Sequence, residues 1–387
     1  MNARSLLLLA TISKAVLLTG CTEGTDADDQ LENALFLLNL PANRWIKYHE
    51  LPAGDWWRKG HAGLAYDSTR GSLLVFGSDT HGDGWDNVVH EFIPRQRAWV
   101  HHGVDAHPDT YKINSDGYRV AGGMDVMPWA MHTYDGVDYD PALDSLVVVA
   151  SPNHNPVNRE WPNPEYRPVW IYNLDNRKWS IFDDGIRITP PNFFGAATAF
   201  DSADNSLYIC RAGLWRLNLT KGEFVKLGSA PKCLHRTMAF DSWRRHLYVF
   251  GSYGGTSRIT RVDTRLISEN PINWEEHKPG GDYCPPYSSV PVAFDENTGV
   301  FLLVVNDQKH TTNNKVPNTA TTFIYNPETN IYTELIGTRL PGERLNFMMA
   351  WDKVYEVFFL LTGNLNDGIT VWALRLDPNQ VNFQSDP

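Results

Sequence analysis

One phrase recurs six times along the chain, and this repeat limits its possible folds more than any other feature. His61 opens HAGLAYDSTRGSLLVFGS, Tyr134 opens YDGVDYDPALDSLVVVAS and Gly195 opens GAATAFDSADNSLYICRA. His235 opens HRTMAFDSWRRHLYVFGS, SSVPVAFDENTGVFLLVVND follows near Ser288, and NFMMAWDKVYEVFFLLTG begins at Asn346. Each unit is an apolar run closing on an aromatic-Asp pair, a turn, and a second apolar run. The pairs fall at Tyr66-Asp67, Tyr139-Asp140, Phe200-Asp201, Phe240-Asp241, Phe294-Asp295 and Trp351-Asp352. Units of this length cannot bury their own faces, so they stack on their neighbours.

Between the units lie segments that read as two further strands each: VHEFIPRQRAWVHH, VWIYNLDNRKWSIF, LWRLNLTKGEFVKL and TFIYNPETNIYTEL. Four strands per period describe a blade, so the spacing predicts an all-β, four-stranded antiparallel β-propeller over residues 33–387. The units resemble kelch repeats. ALFLLNLPANRWIKYHELP reads as the outer pair of a blade and GITVWALRLDP as an outer strand, so the termini are expected to close the ring together. Six blades follow from the count, and seven if the termini build one more.

Residues 1–21 carry Arg4, an apolar run and then Leu18-Thr19-Gly20-Cys21, which resembles a lipoprotein signal with Cys21 as the lipidated residue. The polar stretch 22–32 reads as a flexible tether. An outer-membrane lipoprotein, or a secreted or periplasmic bacterial protein, is expected, held to a membrane only through its lipid. The formal net charge of −11 argues against nucleic acid as a partner. A monomer is expected.

In a blade, the innermost strand starts and the second strand ends on the same face of the disc. His61, Tyr134, Gly195 and His235 open innermost strands. His81 in SDTHGDGWDN, Arg211, and His154 and Arg159 in SPNHNPVNREW follow second strands. One face should therefore gather His61, His81, Tyr134, His154, Arg159, Arg211 and His235 around the channel mouth. The turns DSTRG, DPALD and DSADN serve the other face. The first two blades carry the longest connections, including VDAHPDTYKINSDGYRVAGGMDVMPWAMH, and long loops in compact domains are often functional.

No GxSxG elbow, HExxH or phosphate-binding glycine loop occurs. A set of His, Tyr and Arg without an acidic pair does not suit hydrolysis by two carboxylates, although Asp79, Asp83 and Asp86 keep that option open. It does suit β-elimination beside a uronic acid. That reaction needs a cation for the carboxylate, a base for the C5 proton and an acid for the leaving oxygen.

His61 in HAGLAYD, a second histidine 20 residues on in SDTHGDGWDN, and the propeller around them resemble the β-propeller ulvan lyases. The resemblance implies a polysaccharide lyase acting on an anionic, sulfated, uronic-acid-containing glycan, with His61, His81, Tyr134 and Arg211 as the catalytic set. Trp85, Asn87, His154 and Arg159 are expected to bind substrate. No organic cofactor is expected.

Cys210, Cys233 and Cys284, with His235, would make a closed tetrahedral zinc site, and the resemblance also implies a structural metal. A disulfide between Cys233 and Cys284 is the competing reading. Two other functions stand beside the lyase. One is a non-catalytic glycan-binding or scaffolding lipoprotein. The other is a copper-radical oxidase, which needs a cysteine cross-linked to a tyrosine.

Overall fold

The computed structural model describes residues 27–52, 60–80, 85–123, 126–157, 168–182, 193–251, 258–267, 272–285, 290–306, 319–341, 345–364 and 368–381. Among these, six blades of antiparallel strands stand around a central channel, the first and last joined into one eight-stranded sheet through a parallel pairing of Gly63 with Phe347. Their innermost strands are Gly63–Asp67, Val137–Asp140, Ala197–Asp201, Thr237–Asp241, Val292–Asp295 and Leu345–Asp352, and each pairs with the strand that follows it in sequence. We number the blades 1 to 6 in that order.

The second strands are apolar on both faces because both faces are buried. In blade 1, Leu73 and Val75 pack toward blade 6 while Leu74 and Phe76 pack toward blade 2. The same alternation makes six apolar seams, one between each pair of neighbouring blades. A leucine or phenylalanine withdrawn from water in a seam contributes about 1.5–3 kcal/mol. The seams therefore outweigh any single turn or ion pair on the faces.

The aromatic-Asp pair has a local cause. The carboxylates of Asp67, Asp140, Asp201, Asp241, Asp295 and Asp352 each accept the backbone N–H two residues on, and all but Asp201 also accept the next. Four residues beyond each aspartate, at Gly71, Asp144, Asn205, Arg245, Gly299 and Glu356, the chain turns through positive φ. An Asx turn followed by a left-handed residue thus closes every inner hairpin. The turns DSTRG, DPALD and DSADN are structural, as read from the sequence.

The ring closes where the termini meet. Ile46–Leu51 pairs antiparallel with Gly368–Leu374 and becomes the outermost strand of blade 6. No seventh blade occurs among the described residues. Ahead of that strand the sequence reading needs correction: a helix runs over Ala27–Leu38, where a tether to residue 32 and then a strand were expected. Its Ala34 and Leu37 join the seam of blades 6 and 1, and Arg97 lies over the rings of Phe36 and Tyr48 at 4.7 and 4.4 Å. Spacing of three to four between these apolar positions overrides the strand-like run of leucines. Residues 1–26, including Cys21, lie outside the described residues.

Candidate functional site

The rim begins with a shared backbone conformation. His61, Tyr134, Gly195 and His235 occupy the same place in successive repeats, and all four have positive φ, at 68°, 52°, 66° and 55°. For residues with a Cβ this conformation costs about 1–3 kcal/mol. Two histidines and a tyrosine bear that cost where glycine serves in blade 3. The His61 carbonyl accepts the N–H of both Thr133 and Tyr134, at 3.1 and 2.9 Å, which ties the openings of blades 1 and 2 together. Gly63 is required beneath them, since a Cβ there would lie 2.3 Å from the Tyr134 carbonyl oxygen.

The long connection then supplies a residue the sequence reading missed. His132, buried two positions before Tyr134, stands with its ring 4.4 Å from that of His61, and its Nδ1 is 3.0 Å from the Tyr134 hydroxyl. The Thr80 N–H donates to its Nε2 at 3.2 Å, so the Nδ1 proton points at the tyrosine oxygen. The connection is anchored by Ser78 N–H to the Met131 carbonyl and by the Thr133 hydroxyl to the Phe76 carbonyl. His132 falls outside the repeat register. Its one sequence signal is its position beside Tyr134.

Around this pair the other rim residues assemble. His154 stacks on His132 at 5.1 Å, His235 meets the Tyr134 ring edge-on at 4.6 Å, and Phe194 lies 5.3 Å from Tyr134 and 4.7 Å from His154. Arg211 donates its Nε to the Phe194 carbonyl at 2.9 Å, which orients the guanidinium. Burial, then the Arg211 cation, then His154 hold the His235 imidazole below its ordinary pKa, so it stays neutral at neutral pH. Burial also lowers Arg211.

Of the sequence-predicted set, His61, Tyr134, His154 and His235 meet in one cluster, with Arg211 bound to its Phe194. His81 and Arg159 lie outside the described residues. Asn87 is a correction. It is fully buried, donating to the Pro128 carbonyl and accepting from Ala106 N–H, so its amide holds the loop rather than a ligand. Trp85 packs with Tyr111 and Trp129 under a small sheet of Lys112–Ile113, Arg119–Ala121 and Met127–Pro128.

The zinc expectation is also corrected. Cys210 and Cys233 form a disulfide, which removes two of the four expected ligands and replaces the Cys233–Cys284 alternative. Cys284 is a buried thiol pushed up to about 12 by desolvation, and His235 belongs to the rim. Another metal-competent set lies at the rim, where one ligand atom each of His61, Asp79 and His132 lie within 4.8 Å of one another.

A cavity of about 330 Å³ fills the channel away from this cluster. It is lined by the aromatic residues of all six repeats and, beneath Tyr134, by Asp135 and Asp138. Asp135 accepts the N–H groups of Thr198 and Met238 and still lies well above the usual carboxylate range through burial. Asp138 is raised to about 7, again mainly by desolvation.

No protein-family model matches the chain, and no curated protein matches it. Similar solved structures include the GH74 enzyme of Niastella koreensis. It is 13% identical at a TM-score of 0.45, covering 80% of this chain and 44% of that one. Hydrazine synthase of Kuenenia stuttgartiensis is 12% identical at a TM-score of 0.38, with 60% and 57% covered. This chain therefore spans less than two thirds of either. Likenesses this distant do not bear on its chemistry.

Proposed function

We propose that the rim cluster is the active site of a polysaccharide lyase that cleaves a uronic-acid-containing glycan by β-elimination. The observation that carries this reading is the meeting of a His132–Tyr134 hydrogen bond with a second, neutral imidazole, His235, that lies near a cation, Arg211. Each need of the reaction has a group to meet it.

Arg211 pairs with the uronate carboxylate and stabilises the charge that spreads into it when the C5 proton leaves. His235, held neutral, accepts that proton. The electrons of the C5–H bond form the C4–C5 double bond, the C4–O bond breaks, and the leaving oxygen takes a proton from the Tyr134 hydroxyl. His132 donates its Nδ1 proton to the same tyrosine oxygen, which stabilises the phenolate formed. His61 and His154 line the approach. No water is consumed, and the product carries an unsaturated uronate at its new non-reducing end. A lipid anchor at Cys21 would hold the enzyme where such polymers are met outside the cell.

The test is to incubate purified protein with ulvan and follow the short-wavelength ultraviolet absorbance of the unsaturated product. Wild type should produce a steady rise, and Tyr134→Phe should slow it about a hundredfold or more. Glycan binding without any rise would favour a non-catalytic receptor instead.

A further inference from the structure

We propose that His61, His132 and Asp79 form a binding site for a single divalent first-row transition metal. Two imidazoles and one carboxylate are a donor set suited to such ions, and it leaves further positions open to a ligand. The ligand atoms already lie within 4.8 Å of one another, and the Asp79 carboxylate faces His132 Nε2 at 3.9 Å.

Three features of the chain prepare this set. The Thr80 N–H and the Tyr134 hydroxyl fix the His132 tautomer so that Nε2 carries the lone pair, the form a metal requires. An imidazole whose other nitrogen is held by a polar partner is the usual outer shell of such sites, and here Tyr134 is that partner. Gly60 gives Asp79 its place, because a Cβ there would come within 3.1 Å of both Asp79 Cβ and Oδ2. His61 completes the set from a left-handed backbone that the fold maintains despite its strain. The metal would displace the Thr80 N–H from Nε2, and its open positions would take a uronate carboxylate oxygen. That last role rests on the lyase reading; the site itself does not.

The experiment is calorimetric titration of chelator-treated protein with Zn2+ and with Mn2+, on wild type, His132→Ala and Asp79→Asn. Wild type should bind one equivalent of at least one of the two ions, and either substitution should weaken it about a hundredfold. Absence of binding in wild type, or binding unchanged in both variants, overturns the proposal. Circular dichroism in chelator checks that each variant folds. Should either unfold, Co2+-loaded wild type decides: paramagnetically shifted proton resonances from two histidines support the site, and one or none overturns it. A protein that binds metal but makes no unsaturated uronate loses the lyase reading and keeps the site. Lyase activity in a protein that binds no metal does the reverse.

Discussion

At the scale of single residues, electrostatics set the expected behaviour of the rim. In the proposed reaction His235 has to be neutral to accept a proton, and its pKa is depressed first by burial and then by Arg211. The acid limb of kcat/KM should therefore lie below the ordinary histidine value of about 6.5. Arg211→Gln should move that limb upward while lowering the rate. A limb that stays in place would remove His235 as the base. Asp138 makes a second case, because the other five repeats carry alanine at its position: Ala65, Ala199, Ala239, Ala293 and Ala350. Its Oδ2 has no hydrogen-bond partner, and its folded pKa is raised to about 7. The folded chain thus keeps a proton that the unfolded chain releases near pH 4, and stability falls as pH rises through that window. Asp138→Ala should gain on wild type above pH 7 by up to roughly 4 kcal/mol and show little gain at pH 4. Denaturant melts that run parallel across pH would contradict this.

At the scale of elements, the hairpins and their turns were legible because one short-range device repeats: an aspartate that accepts the next amides, then a left-handed residue. The helix over Ala27–Leu38 was not. Its run ALFLL suits either a helix or a strand, and the choice is made by docking against Tyr48 and Arg97, both distant from most of it in sequence. The cysteine pairing was not legible either, since it depends on how blades 3 and 4 sit together. The Cys210–Cys233 disulfide joins the end of one inner hairpin to the approach of the next and closes a sequence separation of 23. Loop closure of that size contributes roughly 3 kcal/mol. Reduction should lower the melting temperature by several degrees, while Cys284 stays unlabelled by thiol reagents in the native protein. An unchanged melting temperature would show that the link constrains little.

At the scale of the whole molecule, repeat counting led to the ring, and the ring brought the histidines to one face. His61, Tyr134 and His235 could be grouped from sequence because the repeat register carries them. His132 could not, because it arrives on a connection whose length places it outside that register. Closure by Ile46–Leu51 brings the two ends of the chain together in blade 6. Removing residues 27–51 should expose the edge of Gly368–Leu374 and give a protein that aggregates on size-exclusion chromatography; a monodisperse truncated form would show the strand to be dispensable. The chemistry proposed for this face is β-elimination. It is measured most directly by short-wavelength ultraviolet absorbance together with mass spectrometry of the products after incubation with ulvan. Wild type should form fragments carrying an unsaturated uronate, and Tyr134→Phe should form almost none. Saturated, hydrolysed fragments, or equal activity in the variant, would contradict it.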